Sequence, residues 1–262
     1  MAELITILLA GFATGITTVL FGFGGGFVVV PFIYQMLVRQ PDLSDSAMHI
    51  AVATSTAVMI FNAGWASRQN WRAGRLSAAM LFPLAGYIAI GAVMGSLLAG
   101  EIADRTIRLL FMIYMLVTLA DCLMRKGFLH RPARRRLSAL TSGVGGVAIG
   151  LVAALLGVGG SVMTVPLLRR HGYTMRDCVS AANPLSLPVA VCGAAVYIVS
   201  GLQAVKAPGY LGFINLKILA LLTLAGWLGI LFTRRVIPAV PDALHARVYI
   251  ALLLAVLVAI VL

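Results

Sequence analysis

The sequence predicts an all-α integral membrane protein built from two homologous halves, and three observations carry that prediction. The chain of 262 residues is 61% hydrophobic and 11% charged, with a mean hydropathy of +1.02, where soluble proteins have about 45–50% apolar and 25% charged residues. Its apolar residues fall into segments long enough to cross a bilayer. The same glycine–proline pattern also occurs twice, half a chain apart.

Eight apolar segments run roughly over 4–38, 46–67, 76–100, 106–124, 137–168, 178–203, 211–233 and 243–262. The one strongly basic stretch, 125–136, carries six of the 20 Lys and Arg residues and divides the chain almost in half. This places a first membrane repeat at 1–124, a basic cytoplasmic linker at 125–136 and a second membrane repeat at 137–262.

The first segment is charge-free from Leu4 to Val38, 35 residues. A straight helix of that length would measure roughly 52 Å, against about 30 Å for a bilayer core. Gly22, Gly24, Gly25 and Gly26 fall within five residues, each costing about 1 kcal/mol relative to Ala inside a helix. Pro31 follows, with no backbone donor of its own. Two short helices joined by irregular backbone are therefore expected. Such a break is tolerated at membrane depth only where protein or a cavity surrounds it.

The break is duplicated. Gly11, Gly15, Gly22, Gly24, Gly25 and Pro31 reappear at Gly146, Gly150, Gly157, Gly159, Gly160 and Pro166, all at an offset of 135. Downstream, the stretch from His49 to Ser55 overlies Asp177 to Asn183 at an offset of 128, and Leu84-Ala-Gly86 resembles Leu224-Ala-Gly226. Each half thus comprises a Gly-broken first segment plus three spanning helices. Paired interrupted segments are the best sequence pointer to the central site of a transporter.

Charge bookkeeping separates two topologies. If each broken segment crosses once, Lys and Arg divide 11 inside to 9 outside. If each returns to its starting side, the halves are inverted and the division becomes 15 to 5. The positive-inside rule prefers the second, which puts both termini outside the cytoplasm. The net charge of +12 is then a topology signal, and nucleic-acid binding is not expected. No cationic region precedes the first apolar run, so no cleavable signal peptide is expected.

Other chemistry finds little support. No phosphate-loop motif or catalytic triad is present, so neither an enzyme nor a cofactor is expected. His49, His130, His171 and His245 lie near segment edges or in loops, which argues against a metal site. Cys122, Cys178 and Cys192 read as small buried hydrophobes. Asp121 and Lys217 lie near segment ends, where snorkelling to the interface explains them.

The candidate site lies at the breaks. Gly11/Gly15, Gly91/Gly95 and Gly146/Gly150 have GxxxG spacing and suit close helix packing. Contiguous glycines instead undo a helix. Free amides at Gly24, Gly25 and Gly26, and at Gly159, Gly160 and Ser161, followed by a new helix start, suit an anion. A purely structural break is the competing reading. Thr54, Ser55 and Thr56 are consecutive, so at least one must face the interior. Asn62 follows one to two turns later, and Asn183 takes the repeat position of Ser55. Hydrogen bonds to neighbouring helices are the alternative role for all of these.

The two motifs, GITTVLFGFGGGFVVVP and GLVAALLGVGGSVMTVP, with the Ala-Thr-Ser that follows the first, resemble the paired signatures of the sulfite exporter TauE/SafE family. The resemblance covers the whole chain. It implies a multi-pass plasma-membrane permease, in the inner membrane of a bacterium, for sulfite, sulfonates or related sulfur-containing anions. A homodimer is among the assemblies compatible with it. An anion channel, or a membrane scaffold without flux, is the alternative. Asn183-Pro184 replaces Ser55-Thr56 in the second half, a departure from a strict duplication.

Overall fold

The computed structural model describes residues 1–76, 81–124, 137–204, 207–238 and 240–261; the basic linker expected at 125–136 lies outside the described residues. Among those described there are ten α-helices and one short hairpin. The first half contains α1 (Ala2–Phe21), α2 (Gly26–Leu37), α3 (Ala47–Arg72), α4 (Leu84–Gly100) and α5 (Asp104–Met124). The second contains α6 (Ala139–Leu156), α7 (Ser161–Arg170), α8 (Met175–Gly201), the hairpin β1 (Tyr210–Leu211) and β2 (Ile214–Asn215), α9 (Leu216–Val236) and α10 (Asp242–Val261). Seven of the helices among the described residues are long and apolar enough to cross a membrane, and α2 and α4 are shorter apolar helices.

The glycines decide where the first helices stop. Gly22 takes a left-handed φ of 72° and returns its N–H to the Thr18 carbonyl; Gly157 does the same at 67°, bonding Ala153. Gly24 and Gly159 are also left-handed, at 63° and 66°. The next pair differs: Gly25 has φ 109° and Gly160 has φ −66°. Two short helices were expected in the first segment, but α1 has 20 residues and α2 has 12. At 1.5 Å per residue these are roughly 30 Å and 18 Å. The glycines fall past the middle of the charge-free run, so the first helix completes its full length before they interrupt it.

Two glycine seams join the halves. Gly146 faces Leu84 and Tyr87, and Gly150 faces Ile88 and Ala92, so α4 and α6 run parallel. Gly11 faces Leu222 and Ala225, and Gly15 faces Gly226 and Ile230, so α1 and α9 do likewise. A Cβ at any of these four glycines would run into the facing helix. The registers match at an offset of 138, placing Ile88 opposite Gly226 in the repeat. The likeness of Leu84-Ala-Gly86 to Leu224-Ala-Gly226, offset by 140, is therefore coincidental. Gly86 meets nothing, whereas Gly226 packs against α1 and α3.

Helix α3 runs through the centre, with 83% of its apolar window buried against 28–44% for the other spans. Opposite ends of the molecule are held by a matched pair of aspartates, also offset by 138. Asp104, opening α5, accepts from the Met48 N–H at 2.6 Å and pairs with the His49 ring at the start of α3. Asp242, opening α10, accepts from the Met175 N–H at 2.9 Å at the start of α8, and from Arg169 Nη2 at 2.6 Å. Arg108 near the start of α5 donates to the Ile260 and Val261 carbonyls at the end of α10, so α5 and α10 run antiparallel. Asp121, near the end of α5, does not snorkel alone: it pairs with Arg170.

Asp242→Ala should lower the melting temperature in detergent, by an amount equivalent to about 3 kcal/mol. Arg169 is buried and would lose its carboxylate; this is the low end for breaking a buried pair, because Asp242 is itself partly exposed. An unchanged melting temperature would show that the aspartate does not secure this end.

Candidate functional site

The two breaks meet against α3. Ser55 donates to the Gly157 carbonyl at 2.7 Å and lies 3.2 Å from the Gly26 carbonyl, so one hydroxyl touches the end of the first break and the start of the second. One turn further on, Met59 fills the gap between them. A Cβ added at Gly24 would lie 2.7 Å from Met59 Cγ, and one at Gly159 would lie 2.6 Å from its sulfur. Helix α8 closes the other side. Asn183 Nδ2 donates to the Thr18 carbonyl at 3.2 Å, Gly22 packs on Val179 and Ala182, and Ser186 stands beside Gly159.

The sequence-derived candidates therefore divide. Gly24, Gly25, Gly159 and Gly160 lie in the two breaks, Gly26 and Ser161 open the helices that follow them, and Ser55, Asn62 and Asn183 lie against them. Thr54 and Thr56 are engaged elsewhere. Thr54 Oγ1 accepts the Asn215 N–H at 3.1 Å, tying the hairpin to α3, and Thr56 donates to the Ala53 carbonyl of its own helix at 2.7 Å. All three consecutive residues are buried, because α3 is enclosed on every side from Ala47 to Met59. The requirement that one of them face inward therefore discriminated nothing.

Sequence reasoning missed Thr14 and Met59. Thr14 lies one turn before Thr18, the residue whose carbonyl Asn183 holds, and Met59 lies one turn after Ser55. Both were readable only as members of apolar helices. Thr14 Oγ1, both amide atoms of Asn62, Ser161 Oγ and Asn183 Oδ1 are buried without a hydrogen-bond partner. Leaving such a group unsatisfied costs about 1–3 kcal/mol each.

Two recesses approach this region from the end of α3 that carries Arg68 and Arg72. One, of about 530 Å³, lies between α3 and α9 and is lined by Phe61, Trp65, Arg68, Arg72 and Trp227. Its two indoles are 4.8 Å apart. The other, of about 520 Å³, is bounded by Ser67, Arg68, Pro184 and Leu187. Gly64 and Arg68 border both.

The sequence profile of the sulfite exporter TauE/SafE family matches residues 7–260. The chain belongs to that family. A probable membrane transporter protein of Haemophilus influenzae is 27% identical over 209 residues, covering 79% of this chain and 77% of the relative. Another of Methanocaldococcus jannaschii is 23% identical over 265 residues, covering 96% and 92%. No solved structure shows a significant match. TauE/SafE membership, the transporter relatives and seven candidate spans identify a multi-pass membrane transporter.

Proposed function

We propose that the protein is a secondary transporter of small sulfur-containing anions, such as sulfite or sulfonates. It works by alternating access between two inverted halves, with the anion held where the two glycine breaks meet. The observation that carries this reading is the convergence itself: Ser55 reaches the carbonyls of both Gly26 and Gly157. Helix starts leave amide N–H groups unpaired and place the positive end of a helix dipole beside them. Here the starts of α2 and α7 supply both. The antiparallel run of α5 and α10, with their matched aspartates at opposite ends, supports inversion. The inverted topology also collects 15 of the 20 basic residues on the side of the two recesses, which is then the cytoplasmic side of a plasma membrane. In the absence of an ATPase motif, an ion gradient, the membrane potential or the substrate's own gradient drives flux.

The decisive experiment is uptake into proteoliposomes of sulfite, thiosulfate, sulfonates and carboxylates under defined gradients. Saturable, slow flux of a sulfur oxyanion is expected; ohmic single-channel current would overturn the carrier mechanism. In the same assay Asn183→Ala should raise the apparent KM by removing the amide N–H not given to Thr18, and Ser55→Ala should raise it by releasing the Gly26 and Gly157 carbonyls that its hydroxyl holds together. A lost hydrogen bond to a charged ligand is worth about 1.5–3 kcal/mol, or roughly 10- to 150-fold. Unchanged KM in both variants would place the anion away from the breaks.

A further inference from the structure

The breaks are duplicated in sequence but not in polarity. A Cβ at Gly25 would lie 2.9 Å from Thr14 Cγ2 and 3.4 Å from Asn62 Nδ2. At the repeat positions of Thr14 and Asn62 the second half has Ile149 and Ala190, and a Cβ at Gly160 would meet Ile149 Cγ2 at 3.1 Å, ahead of Thr164 Oγ1 at 3.5 Å. Asn62 fits against α9 only because Gly226 has no side chain, since a Cβ there would lie 2.7 Å from Nδ2 and 3.0 Å from Oδ1. The repeat position of Gly226 is Ile88. The first half thus has Thr14 and Asn62 where the second has Ile149 and Ala190, and the hydroxyl that does approach Gly160, that of Thr164, is already bonded to the Gly160 carbonyl.

The niche beside Gly25 is unsatisfied. Thr14 and Asn62 are both 0% exposed, and Thr14 Oγ1, Asn62 Nδ2 and Asn62 Oδ1 all lack a hydrogen-bond partner. Native proteins seldom leave three such atoms together unless something else pairs with them. Phe61 and Trp227 in the wall of the 530 Å³ recess are the chain neighbours of Asn62 and Gly226, and Arg68 and Arg72 line the same recess.

We infer that Thr14 and Asn62, beside Gly25 and Gly226, form a one-sided pocket for a small oxyanion that carries a hydrogen-bond donor as well as acceptors. The inference rests on the transport function proposed above and assigns its substrate contacts. The amide NH₂ of Asn62 and the Thr14 hydroxyl donate to the oxyanion. The amide oxygen can only accept, so a ligand without a donor leaves it buried and unpaired. A hydroxyalkyl or aminoalkyl sulfonate, or hydrogen sulfite, satisfies all three atoms.

The test measures sulfite uptake in proteoliposomes, with ethanesulfonate and 2-hydroxyethanesulfonate as competitors, for the wild type, Thr14→Val and Asn62→Leu. In the wild type the hydroxyl-bearing competitor should act at least about fivefold more strongly, the lower bound for an acceptor left unpaired. Both variants should raise the KM for sulfite about tenfold or more, and Asn62→Leu should erase the preference between competitors. Both should keep or raise the melting temperature, because the atoms removed hold nothing in the fold. Equal competition in the wild type, or an unchanged KM in folded Thr14→Val and Asn62→Leu, would overturn the pocket alone. A loss of transport accompanied by a fall in melting temperature in both variants would make the pair structural and overturn it too. Wild-type vesicles that take up no sulfur oxyanion would end the functional reading itself.

Discussion

Gly25→Val should abolish transport, lowering uptake by about 100-fold or more, while the protein still inserts and purifies. Two independent effects act at this position. The backbone sits at φ 109°, a region essentially closed to a β-branched residue and costing on the order of 1–3 kcal/mol to occupy. The new Cβ would also lie 2.9 Å from Thr14 and would face Asn62, so the valine methyls would enter the polar niche. Gly74→Val separates the two effects. Gly74 is also at positive φ, 64°, but meets nothing within 4 Å, so valine there brings left-handed strain without the clash and should retain transport. Gly160→Val belongs to the same series with a smaller expected effect, because Gly160 already has a helical φ of −66° and its nearest neighbour is the apolar Ile149 at 3.1 Å. Normal uptake by folded Gly25→Val would remove the first break from the substrate path.

That difference between Gly25 and Gly160 marks the boundary of what the chain reveals by itself. Class and duplication were legible, because burial in lipid demands long apolar segments and because glycines at fixed spacing leave a countable trace. The offset of 135 could be read without coordinates. The second seam could not: an identical Leu-Ala-Gly triplet suggested 140 where packing gives 138, since one chance triplet outweighs small residues whose role depends on the facing helix. Asp104 and Asp242 share the offset of 138, yet charges at helix starts resemble topology signals until the amides of Met48 and Met175 are seen to bond them. At the site, Ser55 and Asn62 could be nominated from polarity alone. Thr54 and Thr56 were nominated on the same ground, although one serves the hairpin and the other its own helix. Thr14 could not be read as a site candidate because its place beside the first break depends on Gly25 folding back against it and on Gly226 leaving room for Asn62.

Gly91→Val should do the opposite of Gly25→Val and act on the fold before the function. Gly91 lies in α4, a φ-compatible helical position where valine is conformationally acceptable. The obstacle is the partner helix. A Cβ there would run into the Val147 carbonyl and approach the Leu151 N–H, all backbone, and Gly95 faces the Leu151 carbonyl in the same way. A flexible side chain could swing aside at little cost, but a helix backbone cannot, so α4 and α6 must separate along their length. Overpacking costs typically about 1–3 kcal/mol, and a seam without adjustable side chains should reach the upper part of that range. The lost close approach also forfeits the dispersion contacts that hold helices together in lipid, where no hydrophobic drive replaces them. Detergent melting should therefore fall by several degrees or more, with reduced yield of folded protein. The fraction that does fold should bind sulfite with a KM near that of the wild type, since neither Gly91 nor Val147 adjoins the breaks. A melting temperature unchanged by Gly91→Val would mean that α4 and α6 are not pressed together through this glycine. A normal melting temperature with a raised KM would instead move the seam into the substrate path.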